Sequence, residues 1–281
     1  MQLNGFASLG IFILAWFAFY LVAKAARLER LGLEISPLFM IYKSTRLNLL
    51  IERLAGLSPG FWRVFGNVSV ASFFGQVAFM SYLLFQNLYR FIFVPAKASP
   101  VMPLIPGVTI QFSSLPMFLL VAGVVILFHE LSHGVQCVVE GIQVKSAAIV
   151  FAVVTFGGAV EPDEESMEAA SMISKLRVFA AGSFVNLLMG ILVNVVFIFF
   201  GGWISGGVEV FMYWLFFLSI NLALVNMLPV YPLDGGQMVR TYLASKPGWG
   251  RSLERVTMYG FVALMASNLI LSLVRFGLIP I

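Results

Sequence analysis

Residues 115–139 read LPMFLLVAGVVILFHELSHGVQCVV. A run this long and this apolar meets the roughly 20 residues that a helix needs to cross the hydrocarbon core of a bilayer. The rest of the chain says why it is a membrane helix and not the buried helix of a soluble domain. Of 281 residues, 60% are hydrophobic and 11% charged, with 28 Phe, and the mean hydropathy is +0.96. A soluble domain carries about 25% charged residues, so too little polar side chain is left to coat a water-facing surface. That excludes a soluble globule, a disordered chain and a basic nucleic-acid-binding protein. The net charge of +4 reflects Lys and Arg held in cytoplasmic loops, as is usual for membrane proteins. A single cysteine, Cys137, excludes an intramolecular disulfide and any thiolate metal cluster.

Working outward, further apolar runs lie at Gly5–Ala23, Val70–Val94, Val178–Phe200, Val210–Val230 and Met258–Leu278. The fold class expected is an all-α polytopic membrane protein of about six transmembrane helices. No positive charge precedes the first run, whereas Lys24, Arg27 and Arg30 follow it. It therefore reads as an uncleaved anchor with its N-terminus outside. Residues 141–160 are rich in β-branched residues and Phe, with Gly157 and Gly158 near the end, which fits strands better than a helix. A membrane-associated β-hairpin or re-entrant element is expected there, after the third span. Making it a full span would send Arg240, Lys246, Arg251 and Arg255 outside, against the positive-inside rule. Residues 34–63 read as a cytoplasmic loop on the lipid surface, and the proline-rich stretch 95–116 as extended. The acidic run from Glu161 reads as a solvated loop. The organisation expected is an N-terminal membrane region over 1–114, a catalytic core over 115–245 and a C-terminal helix over 246–281.

Within residues 115–139, His129-Glu130-Leu131-Ser132-His133 is an H-E-x-x-H motif. On a helix, positions i and i+4 share a face, so both imidazoles can bind one zinc. The intervening Glu130 is then placed to take a proton from the attacking water. A lone histidine is more often a satisfied core residue, but three ionisable side chains in one turn of a membrane helix point to function. A catalytic zinc usually has a third protein ligand, and the chain has no other histidine. Cys137 continues the i, i+4 series, yet three turns of one straight helix cannot wrap a tetrahedral ion. A carboxylate from another segment fits better. Asp234 is the best candidate, in the run NMLPVYPLDGG at 226–236. Its alternative is a helix N-cap ahead of Gly235.

The H-E-x-x-H helix followed by N-x-x-P-x-x-P-L-D-G resembles the site-2 protease family of intramembrane zinc metalloproteases. KLRVFAAGSFVNLLMG at 175–190 resembles the family's A-G-x-x-x-N helix, and FGGAVEPDEE at 156–165 resembles the element after its membrane hairpin. The likeness covers 115–245, and the region before it looks like the longer N-terminal part of archaeal and eukaryotic members. It implies one zinc per chain held by His129, His133 and Asp234, with Glu130 as general acid/base. Asn226 matches an Asn that steadies the substrate carbonyl or its oxyanion, and Asn186 matches the Asn of the fourth-span motif. Interhelical hydrogen bonding is the plain alternative for both. Asn186, Gly157 and Gly158 are carried as candidate substrate-binding positions, because the hairpin offers a strand edge for an unwound segment. The expected function is cleavage of transmembrane segments of single-pass membrane proteins within the bilayer. The expected location is the cell membrane, multi-pass, with the active site toward the cytoplasm. Many relatives carry a PDZ module after the span matching Val178–Phe200, but here that loop is only residues 201–209. The rival readings are a metal-binding transporter, which needs a second cluster along a path, and a non-proteolytic binder of transmembrane segments, which needs no Glu130.

Overall fold

The computed structural model describes residues 5–31, 33–37, 39–44, 46–152, 155–246 and 248–278. In chain order the helices are α1 (Gly5–Ala25), α2 (Arg46–Leu57), α3 (Pro59–Phe93), α4 (Leu115–Val139), α5 (Glu164–Ala169), α6 (Met172–Phe200), α7 (Gly206–Asn226), α8 (Asp234–Ala244) and α9 (Gly250–Phe276). The strands are β1 (Leu33–Ile35), β2 (Phe39–Ser44), β3 (Val144–Ala152) and β4 (Thr155–Pro162). Among the described residues, five helices, α3, α4, α6, α7 and α9, are long and apolar enough to cross a membrane. The first expected run lies in α1, where Ile13–Ala25 forms a shorter apolar helix. The protein is a multi-pass membrane protein built mainly of helices. Large side chains such as Leu14, Phe74, Phe199 and Val274 are more than two-thirds exposed, as lipid-facing residues must be.

Helix starts follow local chemistry. Proline opens the first turn of α3 and α4, where its missing N–H costs nothing. Ser171 caps α6 by accepting from the Ser174 N–H, and Asp163 caps α5 by accepting from the Ser166 N–H. That hydrogen bond, together with Lys145 Nζ at 3.2 Å, holds the Asp163 carboxyl below the ordinary carboxylate range. Part of the acidic run is therefore a helix cap, not free loop.

The β region is larger than a hairpin. β3 and β4 pair antiparallel as expected, from Ala152↔Thr155 to Val144↔Pro162. β2 also pairs with β3, and β1 with β2, giving one sheet in the order β1-β2-β3-β4. The expectation of a surface loop at 34–63 is corrected accordingly. Residues 33–35 and 39–44 are strands, α2 follows, and α3 begins eleven residues before the expected span. The physical reason is that β3 has an edge rich in unpaired backbone groups, and a preceding short hairpin covers it. α2 is amphipathic and lays Ile51 and Ala55 against Val135 of α4.

Two interior contacts position the site. Phe118, Val121, Ala122 and Val125 of α4 pack with Trp214 and Leu218 of α7. At the other end of α4, Glu140 binds Arg177 of α6 at 3.0 Å. Arg177 also donates to Asn67 Oδ1 of α3 at 2.8 and 3.0 Å. This charged bridge ties three helices at one level and satisfies its members with hydrogen bonds.

Candidate metal centre

The second half of α4 presents His129, Glu130 and His133 on one face. Opposite them, α7 ends at Asn226, and the chain turns through 227–233 before α8 begins at Asp234. The turn packs tightly on the start of α8. A Cβ on Gly235 would lie 2.1 Å from the Met227 carbonyl oxygen, and one on Gly236 2.4 Å from the Val230 carbonyl carbon. Only glycine lets the backbone double back this closely. Asp234 is the first residue of α8, and Leu233 occupies the cap position without a side-chain bond. The Asp234 carboxylate is thus free of the N-cap role and turns to the histidines.

His129 Nε2 and His133 Nε2 are 3.1 Å apart, and Asp234 Oδ2 lies 3.3 and 3.4 Å from them. These three residues form the group of metal-ligating side chains whose donor atoms converge among the described residues. Bonds of about 2.0–2.1 Å in a tetrahedral site put ligand atoms roughly 3.3–3.4 Å apart, so the donor triangle has the right size for a small divalent cation. Two imidazole nitrogens and a carboxylate oxygen at this spacing repel unless a cation or proton lies between them. Gly182 of α6 faces the same point. A Cβ there would lie 2.4 Å from His133 Nε2 and 2.7 Å from His129 Nε2. The absence of a side chain at 182 keeps the space beside the donors open. The residues fit a bound metal.

The donors open on a cavity of about 340 Å³ also lined by Glu130, Val160, Asn226 and Pro232. Asn226 Nδ2 lies 3.3 Å from His129 Nε2, so its amide donor points into the space beside the ligands. The Glu130 carboxylate accepts a hydrogen bond from the Val160 N–H at 2.8 Å. That contact fixes the orientation of β4. In a strand, alternate residues direct their backbone groups to opposite edges, so Phe156, Gly158 and Val160 face away from β3. Gly157 and Ala159 face β3. β3 is covered on its far side by β2, and β4 ends the sheet. Gly157 and Gly158 therefore lie on the strand that borders the cavity at Val160. Asn186 does not line the cavity. It is fully buried behind His129, with its amide 2.9 Å from Nδ1. Cys137 is buried and lies outside the converging group.

Residues 117–205 and 201–267 match peptidase family M50, together more than half of the chain. The chain belongs to peptidase family M50. Among curated relatives, it is 27% identical over 154 residues to the zinc metalloprotease MJ0392 of Methanocaldococcus jannaschii, covering 55% of this chain and 40% of that protein. It is 24% identical over 159 residues to the membrane-bound transcription factor site-2 protease homolog of Arabidopsis thaliana, covering 56% of this chain and 31% of that protein. The chain thus spans less than half the length of these relatives. Within this M50 chain, the positions that sequence reasoning missed are Gly182, Ser183, the Val178 carbonyl and the Val160 N–H. Gly182 and Ser183 stand in the AAGSFVN stretch, where the four-residue step from Gly182 to Asn186 placed both on one helix face. The two backbone groups have no signal in side-chain identity.

Proposed function

We propose that this chain is a zinc-dependent intramembrane endopeptidase that hydrolyses peptide bonds in transmembrane segments of membrane proteins. The observation that carries this reading is the convergence of His129, His133 and Asp234 beside Glu130 in one cavity among membrane-spanning helices. His129 Nε2, His133 Nε2 and Asp234 Oδ2 would hold one zinc. When bound there, zinc supplies Lewis acidity that polarises the scissile carbonyl and makes water a stronger acid. Glu130 takes the proton of the attacking water and passes it to the leaving amine. Asn226 donates its amide N–H to the carbonyl oxygen as negative charge develops there.

A substrate helix hides its carbonyls in hydrogen bonds, so its scissile stretch must unwind before attack. The free edge of β4 supports pairing with that stretch by strand addition. Phe156 and Gly158 offer outward N–H groups, while that of Val160 is already given to Glu130. The basic residues at 24–30 and 240–255 support a cytoplasmic active site and an outer N-terminus. Residues 115–245, comprising α4 to α8 with β3 and β4, form the catalytic core of this reading. Residues 201–205 join α6 to α7 directly, so substrate access here does not pass a module inserted at that point.

Purified protein and its Glu130→Gln variant, compared on a reconstituted single-pass membrane substrate with zinc content measured in both, test the reading. Equal zinc and loss of cleavage by at least about 100-fold is the expected result, general acid–base catalysis being worth about 10²–10⁴-fold. Undiminished cleavage by the variant would defeat the mechanism.

A further inference from the structure

One face of α6 meets all three metal-ligating side chains from behind. The Val178 carbonyl oxygen lies 2.7 Å from His133 Nδ1, Ser183 Oγ donates to Asp234 Oδ2 at 3.3 Å, and the Asn186 amide lies 2.9 Å from His129 Nδ1. Residues 178, 182 and 186 are spaced four apart, with 183 alongside, so they share that face. Gly182 sits in its middle, opposite both Nε2 atoms.

This arrangement dictates tautomers. A carbonyl oxygen only accepts, so a neutral His133 ring carries its proton on Nδ1 and presents a lone pair at Nε2. Asn186 can do the same for His129 in one of its two amide orientations. The oxygen and nitrogen of an amide are nearly equal in shape, and the hydrogen-bond network decides between them. With Nδ2 toward the imidazole, His129 Nδ1 must be the unprotonated atom. That would place the ring proton on Nε2, among the donors, where it blocks ligation. Turning the amide by half a rotation gives Oδ1 the Nδ1–H of His129 and leaves Nε2 with a free lone pair, matching His133.

We propose that Asn186 is a positioning residue that accepts the Nδ1–H of His129 through Oδ1 and so sets Nε2 as the metal-binding atom. Ser183 orients the Asp234 carboxylate by donating its hydroxyl to Oδ2. Asn186 is fully buried, so it acts on substrate only through His129. The proposal rests on reading the cluster as a metal centre, and its test is independent of proteolysis.

The chain has two histidines, so ¹⁵N-histidine labelling of the zinc-loaded protein, purified through a tag without histidine, reports on both ligands directly. Both rings are expected to bind zinc through Nε2 with Nδ1 protonated. Asn186→Leu removes the acceptor, and Asn186→Asp keeps one. In competition with a chromophoric chelator, Asn186→Leu should weaken zinc binding by about 10–100-fold while Asn186→Asp stays within about threefold of the parent. In the zinc-loaded variants the His129 Nδ1–H resonance should keep its hydrogen-bonded downfield shift with Asp at 186 and move upfield with Leu. Equal affinity of the Leu variant and the parent overturns the proposal, as does equal weakening in the two variants. If Asn186→Leu does not fold, the parent spectrum decides, because a His129 unprotonated at Nδ1 overturns it alone. A parent protein that binds no zinc overturns the metal-centre reading itself.

Discussion

Gly182 shows how a single missing side chain governs the site. Its backbone approaches both Nε2 atoms so closely that a methyl group would fall 2.4 Å from one of them, well inside van der Waals contact. α6 is held in place by Arg177 and by packing of Ala180 and Ala181, so it cannot recede to make room. Gly182→Ala is therefore expected to lower zinc affinity by at least about 10-fold, comparable to losing a ligand-orienting contact. Alanine is the better helix former by about 1 kcal/mol, so the helix itself does not suffer. Metal analysis of the purified variant checks this, and a full equivalent of tightly held zinc would contradict it. The same geometry explains why Asp234 needs two glycines after it. Without them the turn at 227–233 could not fold back far enough to bring the carboxylate to the histidines.

At the scale of elements, β4 joins Glu130, the proposed base, to the edge proposed for substrate. Its alternation makes a contrast available between neighbouring glycines. Gly158 directs its N–H to the open edge, where a proline is tolerated in a strand. Gly157 directs its N–H to β3, opposite Val150, where a proline breaks the ladder at a cost of about 1 kcal/mol or more. Gly158→Pro should reduce kcat/KM for a membrane substrate by about fivefold or more, the equivalent of one lost hydrogen bond of about 1 kcal/mol, with little change in melting temperature. Gly157→Pro should lower the melting temperature instead. Unaltered cleavage by Gly158→Pro would remove strand addition at β4 from the mechanism. That β1 and β2 belong to the same sheet gives the N-terminal region a structural purpose. They cover the β3 edge and leave β4 as the strand end that faces the cavity.

Across the whole molecule, the proposed ligands come from α4 and the start of α8, while α6 packs against both. A bound metal therefore crosslinks segments more than 100 residues apart in sequence, and it stabilises the folded state by mass action. At a free zinc concentration 100 times the dissociation constant, the gain is about 2.7 kcal/mol. Chelation should lower the melting temperature of the detergent-solubilised protein, and added zinc should restore it. His133→Ala should melt at one temperature with or without chelator. A chelator shift of the same size in that variant would show that the metal binds elsewhere.

The amino-acid sequence alone determined the solvent of this protein and the core of its site. Hydropathy marks membrane helices because lipid demands continuous apolar surface, and the i, i+4 rule needs only a helix to place His129 and His133 together. The P-L-D-G run was legible as the source of a third candidate ligand because proline and glycine mark where backbone must turn. Tertiary structure alone decided what stands behind and around those ligands. Which face of α6 is turned to them, which edge of β4 is open, and which backbone N–H reaches Glu130 depend on packing between distant segments. The strands at 33–35 and 39–44 escaped notice for the same reason. Short strands carry little periodic signal, and β3, with which β2 pairs, lies more than 100 residues later in the chain.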